Sequence, residues 1–107
     1  MKISEIVNKL SAKVVFVSDY DREIDGGYAG DFLSFVMGKA PSNCAWFTVM
    51  NNVNVAAVAL LAEVGLVVCC EGTKADNMLI ERIKKENLNL IETDLDIYSA
   101  VLSYAKK

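Results

Sequence analysis

Apolar positions along this chain switch repeatedly between a period near 3.6 and short continuous runs. Ile3, Ile6, Val7 and Leu10 recur at three and four residues, with Glu5, Asn8 and Lys9 between them, which predicts an amphipathic helix over residues 3–11. The run Lys13-Val14-Val15-Phe16-Val17 is too short for a helix and apolar on both faces, the pattern of a central buried strand. Phe32, Leu33, Val36, Met37 and Ala40 then fall on one helical face, which Pro41 ends. Ala45 to Met50, rich in aromatic and β-branched residues, predicts the second strand, closed by Asn51-Asn52. Residues 53–63 are apolar nearly all round and rich in Ala and Leu, so they predict a helix buried on more than one side, against the sheet and against a second subunit. Gly65 to Cys70 reads as the third strand, with Glu71-Gly72 closing it. Residues 76–87 predict a helix with Leu79, Ile80 and Ile83 inward, Glu81 and Lys85 paired across one turn, and Asn87 as its stop. The short alternation Leu88 to Glu92 predicts an edge strand. Thr93 and Asp96 have capping-box spacing before a last helix carrying Ile97, Ala100, Val101 and Tyr104. Strands alternating with helices over short connections imply right-handed crossovers, hence a three-layer α/β/α sandwich around a mostly parallel sheet of four or five strands, one domain over residues 1–107.

Composition narrows the partners. A formal charge of −3 and a pI near 4.8 argue against nucleic acid, and the basic pairs Lys84-Lys85 and Lys106-Lys107 read as solvated helix faces. Polar residues interrupt the apolar runs of the opening Met1-Lys2-Ile3-Ser4-Glu5, so neither a signal peptide nor a membrane span is expected, and a cytoplasmic location is. Cys44, Cys69 and Cys70 have no CxxC spacing and suit buried reduced thiols better than a disulfide framework or zinc. With no histidine in the chain, the commonest partner of a nucleophilic cysteine or serine, and the commonest metal ligand, is missing.

The least generic stretch runs from Ser18 to Asp31, where three glycines and five acidic residues separate a strand from a helix. Gly26 and Gly27 allow backbone angles that a side chain forbids, and Gly30 lies beside Asp31, suited to a helix N-cap. The connection is longer than the usual βα loop of roughly 2–6 residues, and long ordered loops are often functional. Ligands of open α/β sheets bind outside the carboxyl ends of the strands. On that rule the candidate ligand-binding residues are Ser18, Asp19, Asp21, Arg22, Gly26, Gly27, Gly30 and Asp31 from the first connection, with Thr48, Asn51 and Asn54 from the second. Asp31, Asn54, Asp76 and Thr93 also stand where helices begin, and helix capping accounts for each of them without a ligand. The glycines can cradle a phosphate, although Asp25 and Asp31 flank them, and neither GxxxxGK[ST] nor GxGxxG is present. Asp19, Asp21 and Asp25 are also placed for magnesium, but hydrated turn carboxylates are the commoner reading and no metal site is assigned.

The run Arg22-Glu-Ile-Asp-Gly-Gly-Tyr-Ala-Gly-Asp-Phe-Leu-Ser34, then Trp46-Phe-Thr48 and Asn54-Val-Ala-Ala-Val-Ala59, resembles the DRTGG domain family over nearly the whole chain. The name-giving motif is altered: Asp21-Arg22 is followed by Glu23-Ile24-Asp25 before Gly26-Gly27, with no threonine. The resemblance implies a three-layer domain similar to the N-terminal domain of HPr kinase/phosphorylase, found fused to CBS domains, within phosphotransacetylases or alone, with a regulatory role. No kinase activity is expected without a phosphate loop. The expectation is therefore a non-enzymatic regulatory or small-ligand-binding domain, dimeric and without a cofactor, taking a small phosphorylated ligand or nucleotide. The alternatives are a protein-interaction module without a small ligand, and a metal-dependent enzyme using Asp19, Asp21 or Asp31 on a phosphorylated substrate.

Overall fold

The computed structural model describes residues 1–106. Its elements are α1 (Ile3–Lys9), β1 (Lys13–Phe16), β2 (Gly27–Ala29), α2 (Leu33–Lys39), β3 (Ala45–Thr48), α3 (Asn54–Leu61), β4 (Leu66–Cys69), α4 (Asn77–Lys85), β5 (Leu90–Glu92) and α5 (Ile97–Ala105). The five strands form one sheet in the order β1-β5-β4-β3-β2, parallel except for β1, which runs antiparallel to β5. The three-layer α/β/α sandwich with a mostly parallel sheet is thus the fold of the chain.

Strand alternation builds two cores. Trp46, Val67, Cys69 and Leu90 face one side, where Val36 of α2, Val55 and Ala59 of α3, and Leu79 and Ile83 of α4 cover them. Ala45, Phe47, Leu66, Val68 and Ile91 face the other, under Ile3 and Ile6 of α1 and Ala100 of α5. From β2 to β5 the chain makes three successive crossovers, each stepping one strand in the same direction. Crossovers of one hand then place α2, α3 and α4 on the same face. Only α1 and α5 remain for the opposite face. Five strands span ~24 Å and two helices cover ~20 Å, so that face falls short of full cover, whereas three helices overhang theirs. The overhang shows in α2, where Val36 is its one buried residue while Phe32, Phe35 and Met37 are exposed.

Three expectations are corrected. The run Lys13–Phe16 is an edge strand: its apolar faces are half-buried, against α4 on one side and the α1 core on the other. Leu90–Glu92, expected at the edge, lies between β1 and β4 and is buried throughout, because Glu92 is satisfied inside the protein. Part of the glycine connection is the edge strand β2, paired Gly27 to Ala45, Tyr28 to Trp46 and Ala29 to Phe47.

Helix ends follow the sequence unevenly. Asp76 caps α4, accepting from Leu79 N at 2.8 Å, and Asn87 takes the left-handed conformation, φ 56°, that ends it. The Glu81–Lys85 pair is absent from the ion pairs among the described residues. Asp96, instead of Thr93, caps α5 by accepting from Ser99 N at 2.7 Å, while buried Thr93 donates its hydroxyl to the Leu10 carbonyl at 2.8 Å. Phe32 occupies the N-cap of α2 with no side-chain bond, so Asp31 is free for another task.

Candidate functional site

The antiparallel β1 divides the expected site. Its carboxyl end lies with the amino ends of the other strands, so Ser18, Asp19, Asp21 and Arg22 sit at the opposite end of the sheet from Thr48 and Asn51. Ser18 N donates to Asn89 Oδ1 at 3.0 Å, and Asn89 immediately precedes β5. Arg22 Nε donates to Asn43 Oδ1 at 3.0 Å, just before β3. Asp19 accepts from Asp21 N at 3.0 Å, and Asp21 lies 3.8 Å from Lys2 Nζ, both in the open.

At the other end, the carboxyl ends of β2 to β5, the expected residues are tied to one another. Asp31 Oδ1 accepts from Thr48 Oγ1 at 2.6 Å and from Val49 N at 2.9 Å, joining the exit of β2 to that of β3. Asn51 Nδ2 donates to the Lys74 carbonyl at 2.8 Å. Asn54 begins α3 and its backbone N–H donates to Asn52 Oδ1 at 2.9 Å. These bonds close the loops on one another. Among the described residues no three Asp, Glu or Cys side chains gather as metal ligands, and Asp19 and Asp21 lie at the other end of the sheet from Asp31.

The cysteines are free and buried. Burial, then the charges of Glu92 and Cys70, push the Cys69 thiol up to about 12. Burial likewise raises Cys70 to about 11, opposed by a hydrogen bond with the Thr48 backbone. Neutral thiols of this kind are poor nucleophiles.

A concavity does form where the two-helix face runs out. Between β2 and α5 lies a groove of about 280 Å³, lined by Gly26, Gly27, Ala29, Phe47, Val101 and Tyr104. Its cause is the small side chains of β2. Tyr28 turns to the three-helix core, so Gly27 and Ala29 form the floor. A Cβ on Gly27 would stand 3.5 Å from the Tyr104 ring and 3.6 Å from that of Phe47. These two rings meet tilted, centroids 5.4 Å apart. Tyr104 closes one end by donating its hydroxyl to the Gly26 carbonyl at 2.6 Å, and burial, then nearby Cys44 and Asp25, raise its phenol so that it stays a donor. Gly26 has φ +63°, the left-handed region, while Gly27 has ordinary strand geometry. A larger depression of about 610 Å³ lies along α5, where Ser99, Leu102, Ser103, Ala105 and the following Lys106 line it.

The open edge of β2 adds polar groups. Ala45 N donates to the Gly26 carbonyl and Gly30 N to the Phe47 carbonyl, so residues 26, 28 and 30 point at β3. In a parallel ladder the alternate residues point away, which leaves the N–H and C=O of Gly27 and Ala29 on the outer edge beside the groove. Of the expected residues, Gly26 and Gly27 line this groove, and Gly30 is held below it by Trp46 Nε1 at 2.9 Å. Phe47, Val101 and Tyr104 were not foreseen as site residues. The helical stripe marked Val101 and Tyr104 as core, and only the sheet order reveals that, among the described residues, α1 and α5 are the helices on that face.

No family model and no curated protein matches this chain. The structure is similar to the crystal structure of the CBS and DRTGG domains of the regulatory region of Clostridium perfringens pyrophosphatase, complexed with its activator diadenosine tetraphosphate. The TM-score is 0.81 at 17% identity. The likeness is one of fold. It covers 94% of this chain and 44% of that one, so this chain spans less than half the neighbour's length.

Proposed function

We propose that this chain is a non-enzymatic regulatory domain of the DRTGG type that binds a small ligand in the groove between β2 and α5. The observation that carries the reading is the groove itself. It pairs an apolar floor and the Tyr104 ring with the unpaired main-chain groups of Gly27 and Ala29. Such a seat suits a flat heterocycle, its face on the apolar floor and its polar edge toward main-chain donors and acceptors. The similar fold belongs to a regulatory region crystallised with a dinucleotide activator, which supports nucleotides as the first class to test. Catalysis finds no support in the separated aspartates or the neutral thiols. The free cysteines suit the reducing cytoplasm.

A thermal-shift screen of nucleosides, nucleotides and acyl phosphates tests the reading. A ligand at about a hundredfold over its Kd adds about 2.7 kcal/mol, several degrees in Tm for a chain of this size. The Gly27→Val variant should fold, because Gly27 has ordinary strand angles and a β-branched residue suits them, yet its methyls fill the groove. A shift seen in the native chain and absent in Gly27→Val is the expected result. A shift that survives Gly27→Val removes the groove from the account.

The exposed edge of β2 favours a second reading, in which a partner strand pairs with Gly27 and Ala29 and no small ligand exists. A flat screen, together with capture of one defined partner lost in Gly27→Pro, would favour it.

We also propose a homodimer. In α3, Val55, Ala56, Val58 and Ala59 are buried against the sheet, while Leu60 and Leu61 are 42% and 71% exposed. With Phe32, Phe35 and Met37 on adjacent α2, they leave an apolar surface that a second copy would cover. Sedimentation equilibrium at micromolar concentration should give twice the chain mass, reverting to one in Leu61→Glu. A monomeric native chain contradicts the proposal.

A further inference from the structure

At the opposite edge of the sheet from the groove, beside β1, the structure holds a cleft of about 550 Å³. Its walls are Val15 of β1 and Ile80 of α4, and its charged groups are Lys13, Lys74, Lys84 and Glu92. Three of the eleven basic residues of a chain with net charge −3 thus share one concavity. They come from three separate places in the sequence, the start of β1, the loop after β4 and the last turn of α4.

The single carboxylate does not neutralise them. Glu92 is 5% exposed, and its Oε2 accepts from Ala75 N at 2.8 Å while its Oε1 lies 3.9 Å from Lys74 Nζ. It is therefore already committed to holding the loop that carries Lys74. Setting one carboxylate against three ammonium groups leaves the cleft with a surplus of two positive charges. Like charges gathered in one concavity repel each other and attract a multivalent anion. Lysine ammonium groups bind phosphate as point charges, and the Val15 and Ile80 walls accept the carbon portion of an ester.

We infer that this cleft is a binding site for a small molecule carrying two or more linked phosphates, held by Lys13, Lys74 and Lys84. The site is independent of the groove at β2, because β5, β4 and β3 lie between the two edges. It therefore stands whether or not the groove takes a ligand.

Titration calorimetry of the native chain with inorganic pyrophosphate, ADP and adenosine at low salt tests it. Pyrophosphate should bind the native chain, with affinity falling as sodium chloride is raised, and in Gly27→Val, whose groove is filled, ADP should bind and adenosine should not. Lys13→Gln with Lys84→Gln should weaken pyrophosphate binding by roughly tenfold or more. Both side chains are exposed, so the double variant should keep the native circular dichroism spectrum and melting point. Gly27→Val should leave pyrophosphate binding unchanged, which separates this site from the groove. Undiminished pyrophosphate binding in the double variant, no pyrophosphate binding in the native chain, or equal binding of adenosine and ADP in Gly27→Val would each overturn the inference.

Discussion

Replacing Asn89 with alanine is expected to lower the unfolding free energy by about 2–4 kcal/mol, because it orphans two backbone groups at about 1–3 kcal/mol each, one of them only partly buried. Asn89 is 2% exposed and stands just before β5, the strand that pairs antiparallel with β1 and parallel with β4. Its Oδ1 accepts from Ser18 N at 3.0 Å and its Nδ2 donates to the buried Gly65 carbonyl at 2.9 Å. Alanine satisfies neither. Urea unfolding should show the loss as a lower midpoint with an unchanged slope. A loss below about 1 kcal/mol would mean that the two groups find other partners.

Trp46→Ala is expected to cost about 3–5 kcal/mol, a large part of the 5–15 kcal/mol of a typical domain. Trp46 is fully buried in the three-helix core and donates Nε1 to the Gly30 carbonyl. That bond fixes the exit of β2, a strand of three residues with two small side chains and little propensity of its own. Trp46→Phe separates the two contributions: most of the core volume stays, and the missing bond should cost about 1 kcal/mol. Amide exchange in Trp46→Phe should quicken at Tyr28 and Gly30 more than in β4. Uniform quickening across the sheet would place the role of Trp46 in packing alone.

The parts of the fold that the sequence shows are those where side-chain pattern and environment agree. Ile3, Ile6 and Leu10, or Leu79 and Ile83, face a core because their spacing is helical and nothing competes. Strand β2 was illegible because Gly27-Tyr28-Ala29 carries no alternation; its extended form comes from pairing with β3. The apolar run of β1 pointed to a central position, but an edge strand under α4 on one face and the α1 core on the other needs the same residues. That error of position was also one of direction, and it placed Ser18, Asp19, Asp21 and Arg22 at the wrong end of the sheet for a joint site. Glu92 misled in the opposite sense, since a carboxylate in a short run suggests exposure until Ala75 N and Lys74 are seen to satisfy it. Gly26 and Gly27 were legible as unusual, and the structure explains them differently: one turns the chain with positive φ, the other leaves a floor open.

The most direct test of the central claim maps a bound nucleotide onto the backbone. Amide shifts of the labelled chain are followed while the strongest ligand of the thermal screen is added, in the native protein and in Gly27→Val. Saturable shifts centred on Gly26 to Gly30 and Val101 to Ala105, lost in the variant, are the expected result. Shifts confined to the crest around Thr48 and Asn51, or unaltered by Gly27→Val, would contradict it.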